Sequence, residues 1–231
     1  MNRCDFSYEK VAWKQGYKII AGVDEVGRGC FAGPVVAGCV VFSRDTKYKI
    51  PDTISIDDSK KLRPREREIS ARWVKKNAVS WGMGESSTAL INRIGMGKAT
   101  KVAFRKAIAA ANIQLLASKN RIDFLLIDAF YIPYVKGLRR KNQKAIINGD
   151  EKSISIAAAS IIAKVYRDKL MRRLSMRKYR TTYARSVSGK RYGWERNKGY
   201  GTREHQKAIK KYGITRYHRK VFVDTFLQNK P

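Results

Sequence analysis

Two apolar stretches dominate the first quarter of the chain. Residues 18–25 (KIIAGVDE) and 34–42 (PVVAGCVVF) are rich in β-branched side chains, and a glycine-rich segment separates them. That pattern predicts two strands joined as a hairpin or by a bulged connection. A polar loop follows at 51–62 (PDTISIDDSKKL), and Pro64 stands where a first helical turn tolerates proline. From Arg65 to Lys76 the spacing of Ile69, Trp73 and Val74 is helical, and 78–86 (AVSWGMGES) alternates like a third strand. Thr88 is a candidate cap for a short helix, residues 98–117 form an alanine-rich helix, and DFLLIDAF at 123–130 reads as a fourth strand. A basic loop at 134–143 leads to a short strand, KAIING, and a long helix begins near Ser153. Beyond Lys178 the periodicity weakens until a helix over Thr202–Tyr212. Strands, helix, strand, strand and helix in this order predict a mixed sheet flanked by helices, an α/β or α+β layer fold.

Charge narrows the partners. Fifty Lys and Arg against 19 Asp and Glu leave a formal +31 over 231 residues, more than solubility needs. The excess is uneven: residues 171–231 hold 18 Lys and Arg against 3 acids, with nine aromatics interleaved. Nucleic acid is the partner such a surface fits. No apolar run is long enough for a membrane span, and MNRCDFSYEK has no apolar core for a signal peptide, so a cytoplasmic protein without a membrane partner is expected. Cys4, Cys30 and Cys39 form no CxxC pair, and His205 and His218 sit in no zinc-type cluster. Histidine-centred catalysis is not favoured, although His205 stays open.

Because acids are scarce, their positions matter. Asp24, Glu25 and Asp128 fall at or near the C-terminal ends of predicted strands, and Asp150 ends another apolar segment. One Asp after a strand is usually a turn residue, but adjacent carboxylates resist burial unless a positive charge offsets them. A hard divalent cation such as Mg²⁺ would do so and would suit phosphodiester chemistry. Asp168 rivals Asp150 as a fourth ligand, and spacing alone does not choose; its plain alternative is an ion pair with Arg167 or Lys164. Gly27 and Gly29 let backbone amides approach a phosphate or sugar. Ser59, Lys60 and Lys61 offer a hydroxyl and two ammonium groups to phosphates, or make up an ordinary solvated loop. Tyr200, between two glycines, is read as a tyrosine on flexible, uncluttered backbone that can stack on a sugar or base.

The blocks GVDEVGRGCFAGPVVAGCV, DDSKKL, LLIDAF, NGDEKSISIAAASIIAKVYRD, NKGYGTREH and YHRKVF together resemble type 2 ribonuclease H, also called ribonuclease HII, over roughly residues 18–223. The resemblance implies an RNase H-like mixed β-sheet in residues 1–178 and a small helical, basic, substrate-binding extension in 179–231. It implies an endoribonuclease that uses Mg²⁺ or Mn²⁺ to hydrolyse RNA in RNA/DNA hybrids. Cutting 5′ of single ribonucleotides in duplex DNA, with 3′-hydroxyl and 5′-phosphate ends and a part in ribonucleotide excision repair, is implied as well. Carried over by position, Asp24, Glu25, Asp128 and Asp150 match the metal-binding carboxylates, since NGD stands for the family's KGD-type tripeptide. Gly27, Arg28 and Gly29 match the triplet that grips the ribonucleotide, and Tyr200 matches the junction-sensing tyrosine. Lys60, Lys61 and Ser160 match positions facing backbone phosphates. A monomer is expected.

The sequence departs from the pattern at Ala129, where glycine is common, at Asn148, where the tripeptide is basic, and at Val221, where serine is usual. Residues 179–195 are longer and more basic than the usual loop. The reading from another class is a basic nucleic-acid-binding module without chemistry, which predicts salt-sensitive binding and no metal-dependent cleavage.

Overall fold

The structure, a computed structural model, describes residues 4–44 and 50–228, so the first three residues and the last three of the expected extension, 229–231, lie outside it. Its helices are α1 (Ser7–Lys14), α2 (Pro64–Asn77), α3 (Thr88–Ile94), α4 (Met96–Leu115), α5 (Ile154–Ser175), α6 (Trp194–Asn197), α7 (Arg203–Tyr212) and α8 (Lys220–Gln228). The strands are β1 (Ile19–Val26), β2 (Val35–Ser43), β3 (Ser80–Ser86), β4 (Phe124–Asp128) and β5 (Gln143–Ile146), with a two-residue ribbon of β6 (Lys178–Tyr179) and β7 (Val187–Ser188). Packing divides the chain into two compact units. The first holds residues 1–26, 36–85 and 101–165, and the second holds 27–35, 86–100 and 166–231.

The first unit is built on a five-stranded sheet in the order β3-β2-β1-β4-β5. β2 runs antiparallel to β1, β4 runs parallel to β1, and β5 runs parallel to β4, which makes the mixed sheet the pattern predicts. β1 and β2 are buried on both faces, so their sequences read as continuous apolar runs instead of alternating. α5 lies directly on this hairpin because its neighbours are small. A Cβ on Gly22 would sit 2.1 Å from the Ser155 carbonyl carbon, and one on Gly38 would sit 2.3 Å from the Ala159 oxygen. The buried Ala157–Ala159 run completes the close approach, and Phe42, Leu62, Val74 and Ile161 fill the core around it.

Helix α1, which the periodicity does not predict, packs Ala12, Tyr8 and Trp13 against the cluster of Ile20, Phe124 and Ile156 and also buries one charged side chain. Glu9 is fully buried; its Oε1 accepts from the Ser153 hydroxyl at 2.7 Å and from the Ser155 amide at 2.9 Å. A carboxylate is thereby held at the N-terminal end of α5, where the helix dipole favours it.

The second unit packs Met171 and Leu174 of α5 against Tyr192, Trp194, Ile209 and Val223. Residues 179–197, which read as an open loop, carry the β6–β7 ribbon, a short 3-10 turn at Gly189–Tyr192 and α6, because Tyr192 and Trp194 are fully buried. α8 is a further element the weak periodicity did not predict. The cap of α3 also moves: Ser87, not Thr88, is the N-cap, its side-chain oxygen accepting from the Leu90 amide at 3.2 Å. Among the described residues no helix is long and apolar enough to cross a membrane.

Candidate active site

The pairing of parallel strands β1 and β4 stops with Val23 opposite Ile127, so the residues that follow, Asp24 and Asp128, stand side by side where the strands part and β1 runs on along β2 to Val26. β5 runs on into the turn Gly149–Glu151, where the Gly149 amide donates to Asp128 Oδ1 at 2.8 Å and places Asp150 beside the same edge. Asp24 shares its face of β1 with Gly22, the face that α5 covers, whereas the pleat sends Glu25 to the opposite face, where it stays half-buried. Burial first, then the charge of Glu25 and those of Asp128 and Asp150, push the Asp24 carboxyl well above the usual carboxylate range, against a hydrogen bond from Ser160. Asp150 is raised too, by burial and then by Asp58, with Lys60 acting the other way. Asp24, Asp128 and Asp150 therefore gather at one end of the sheet, and the charge of Glu25 reaches Asp24 from the next position of β1. Among the described residues, no three His, Cys, Asp or Glu side chains are already arranged to hold one ion.

Two departures from the expected motif share one backbone state, which suits the asparagine and not the alanine. Ala129 (φ 64°) and Asn148 (φ 54°) both occupy the left-handed region. Asn accepts that conformation readily, whereas alanine there costs roughly 1 kcal/mol. Ala129→Gly is accordingly expected to raise stability, less the unfolded-state entropy that glycine adds, by about 0.5 kcal/mol; a thermal melt that shows no rise would overturn the strain.

Residues 57–62 are a built loop. Ser59 and Asp58 are buried, Asp58 Oδ1 accepts from the Lys60 amide at 2.9 Å, and Arg67 donates to the carbonyls of Ser59 (2.8 Å) and Leu62 (2.7 Å). The Ser59 and Ser160 hydroxyls hydrogen-bond at 3.0 Å, Ser160 accepting because its own proton goes to Asp24, and this links the loop to α5. Lys60 reaches over the carboxylates, 3.6 Å from Asp150 Oδ2 and 3.8 Å from Asp58 Oδ1. Partial burial lowers its pKa, but Asp58, Asp150 and Asp24 outweigh that and leave it raised. Lys61 points elsewhere, to Glu151 at 3.0 Å and Asp57 at 3.7 Å.

In the second unit, Gly27 is required by crowding. Its φ is +95°, and a Cβ there would fall 2.1 Å from Arg167 Nε. Arg167 is fully buried and donates to three carbonyls, Pro34 at 3.0 Å, Lys198 at 2.8 Å and Ala32 at 3.1 Å. Arg219, also buried, donates to the carbonyls of Gly33 (3.0 Å) and Arg28 (2.7 Å), and burial lowers its pKa to about 10. The exposed Arg28 and Gly29 thus sit on a loop pinned by two interior guanidiniums. Neither arginine was singled out from sequence. The signal for Arg167 was its place four residues after Ala163 and four before Met171, on the buried face of α5.

Tyr200 corrects one expectation. Its flanking glycines mark a crowded backbone: a Cβ on Gly199 would lie 2.4 Å from the Ala32 oxygen, and one on Gly201 would lie 2.6 Å from the Phe31 ring. The Tyr200 backbone bridges Cys30, and its ring is 40% exposed. Its hydroxyl pKa is raised by burial and then by the neighbouring Cys30; Asp168, the rival fourth ligand, acts electrostatically on this tyrosine.

The two histidines hold Tyr200 from behind. The Thr215 amide donates to His218 Nδ1 at 2.8 Å, which leaves the proton on His218 Nε2, 3.1 Å from His205 Nε2. His205 Nδ1 then carries its own proton to the Tyr200 carbonyl at 2.9 Å, and Trp194 Nε1 also donates to His205 Nε2. Burial drives both pKa values down, to about 4 for His205 and about 3 for His218. Neutral, fully engaged imidazoles are structural here.

A family model described as Ribonuclease HII matches residues 21–225. A curated ribonuclease HII from Caldanaerobacter subterraneus is 42% identical over 221 residues, covering 96% of this chain and 80% of that protein. One from Bacillus subtilis is 40% identical over 216 residues, covering 94% and 74%. The crystal structure of ribonuclease H2 from Pyrococcus horikoshii matches the fold with a TM-score of 0.64 at 24% identity, over 91% of this chain and 100% of that one. The chain belongs to the ribonuclease HII family and is a ribonuclease H-type hydrolase.

Proposed function

We propose that this enzyme, which hydrolyses RNA paired with DNA, also cuts on the 5′ side of single ribonucleotides embedded in duplex DNA, leaving 3′-hydroxyl and 5′-phosphate ends. The observation that carries the reading is the gathering of Asp24, Asp128 and Asp150 where β1 and β4 part and at the turn after β5, with Glu25 next to Asp24 on β1. Their all-oxygen donor set fits a hard divalent cation, Mg²⁺ or Mn²⁺, and such ions take only one or two protein carboxylates, completing their shells with water and substrate phosphate. When bound, the cations would supply the positive charge that activates a water and stabilises the leaving ribose 3′-oxygen.

The chain's own groups do the rest. Asp24 and Asp150 hold negative charge against the cost of burial, Ser160 and Lys60 steady them, and Lys60, largely exposed, meets a backbone phosphate. Lys61 meets a second phosphate where the duplex draws it from Glu151. Backbone amides of Gly27, Arg28 and Gly29 grip the ribonucleotide, and Tyr200 packs on its sugar and reads the 2′-hydroxyl. The extension at 179–231 holds the DNA flanks through its Lys and Arg side chains. The protein acts as a monomer in the cytoplasm, within ribonucleotide repair.

The testing experiment is cleavage of a DNA duplex carrying one ribonucleotide, with Mg²⁺, with Mn²⁺ and with chelator, beside an all-DNA duplex. A single metal-dependent cut 5′ of the ribonucleotide is expected; binding without any cut would leave a basic binding module. Tyr200→Ala is expected to slow cutting at the lone ribonucleotide about 10- to 100-fold, the equivalent of one stacked contact, while binding to all-DNA duplex changes little. Equal losses in both assays would reduce Tyr200 to a packing residue.

A further inference from the structure

The crossover between parallel strands β4 and β5 runs from residue 129 to 142 without an α-helix. Between Asp128 and Asp150 there is no acid, while Lys136, Arg139, Arg140, Lys141 and Lys144 are all basic. Within this loop Tyr134 is 91% exposed and holds a left-handed backbone (φ 58°), an uncommon and costly state for a bulky residue. Tyr131, 41% exposed, lies under the Arg140 guanidinium at 4.8 Å. Tyr131, Pro133, Tyr134, Leu138 and Arg140 line a cleft of about 380 Å³.

The loop is nonetheless anchored. Buried Gln143 turns both ends of its side-chain amide toward it, accepting from the Ile132 amide at 3.0 Å and donating to the Ile132 carbonyl at 2.9 Å. Arg105 donates to the Pro133 carbonyl at 3.1 Å. Two tyrosines are thereby presented to solvent on an anchored loop whose charges are all positive.

We propose that this crossover is a docking surface for an unpaired nucleobase of a strand that continues past the RNA/DNA hybrid. The positive loop demands a polyanion, and exposed aromatic faces beside a guanidinium stack on bases. Paired bases hide their faces in the stack, so the occupant is single-stranded. The inference rests on the reading of the chain as an enzyme of RNA/DNA hybrids and names a substrate feature beyond it: hybrids carrying a single-stranded extension.

The test compares a blunt hybrid with the same hybrid bearing a short single-stranded DNA extension at either end, measuring binding in chelator and cleavage with Mn²⁺. The wild-type chain is expected to bind one extended hybrid roughly tenfold more tightly than the blunt one. A Tyr131→Ala/Tyr134→Ala variant should lose that preference while cleaving the blunt hybrid as before, and Tyr134→Phe should keep it. Absence of cleavage on the blunt hybrid by the wild type would defeat the enzymatic reading and leaves the binding comparison to stand alone. No wild-type preference for either extension would overturn the proposal and leave the cleft to an acidic protein, and so would a preference that survives loss of both tyrosines.

Discussion

Asp128→Asn is expected to remove hybrid cleavage by at least about a thousandfold while leaving hybrid binding and the fold in place, on the scale seen when preorganised charge is taken from a reaction site. The asymmetry comes from the geometry. Asparagine keeps an Oδ1 that can accept from the Gly149 amide, so the turn that carries Asp150 holds its shape, and only the negative charge is lost. Asp24→Asn is expected to behave alike, since its Oδ1 serves the Glu25 amide at 2.7 Å and an amide oxygen can do the same. Residues that act as one unit do not add, so the double variant should be no slower than either single one.

Stability should move the opposite way. Asp24 is buried among three other carboxylates that disfavour its charge, so neutralising it relieves repulsion and should raise the melting temperature in chelator. Added Mn²⁺ should stabilise the wild type by about 2.7 kcal/mol at a hundred times its dissociation constant and the Asp24→Asn variant by much less. Full activity in either variant, or an equal metal-induced shift in wild type and Asp24→Asn, would sink the carboxylate assignment.

How far the sequence carried this site depends on the kind of contact. Asp24 and Asp128 were legible because each follows an apolar run that can only be an interior strand, and parallel pairing brings such ends together. Asp150 was not separable from Asp168 by spacing, since the choice depends on whether a turn or a helix face reaches the sheet edge. The turn reaches it through one amide, Gly149 to Asp128, a contact 21 residues apart with no periodic signature. Glu9, Arg67, Arg167 and Arg219 were missed for a common reason: each is a charged residue fully or almost fully buried, against the usual rule for its type, held by backbone carbonyls, amides or hydroxyls that lie in distant segments for Glu9, Arg167 and Arg219 and in the adjoining loop for Arg67. The order within 179–197 was hidden in the same way, because Tyr192 and Trp194 anchor it by burial and not by repeat.

The same buried histidines that fix Tyr200 make the fold acid-sensitive. His205 and His218 have folded pKa values of about 4 and about 3 against an ordinary 6.5, so between these limits the unfolded chain binds more protons. Their contribution to stability is complete above pH 6.5 and is lost as the pH falls, by about 2 kcal/mol for each histidine at pH 5. Glu9, Asp24 and Asp150, whose pKa values are raised, pull the other way on acidification, so the wild-type slope is a difference of the two sets. His218→Gln isolates the imidazole share, because a glutamine amide can still donate toward His205 Nε2 and accept from the Thr215 amide without titrating. Thermal melts from pH 7.5 to 5 should show the variant losing about 2 kcal/mol less than the wild type, with a shallower fall in melting temperature. Protonation of His218 would fall on Nδ1, against the Thr215 amide, and only near pH 3, so the relay that ends on the Tyr200 carbonyl stays intact in the folded protein and selectivity for a lone ribonucleotide over all-DNA should hold from pH 7.5 to 5 while stability falls. Parallel stability slopes in the two proteins would overturn the buried-imidazole account, whatever the selectivity does.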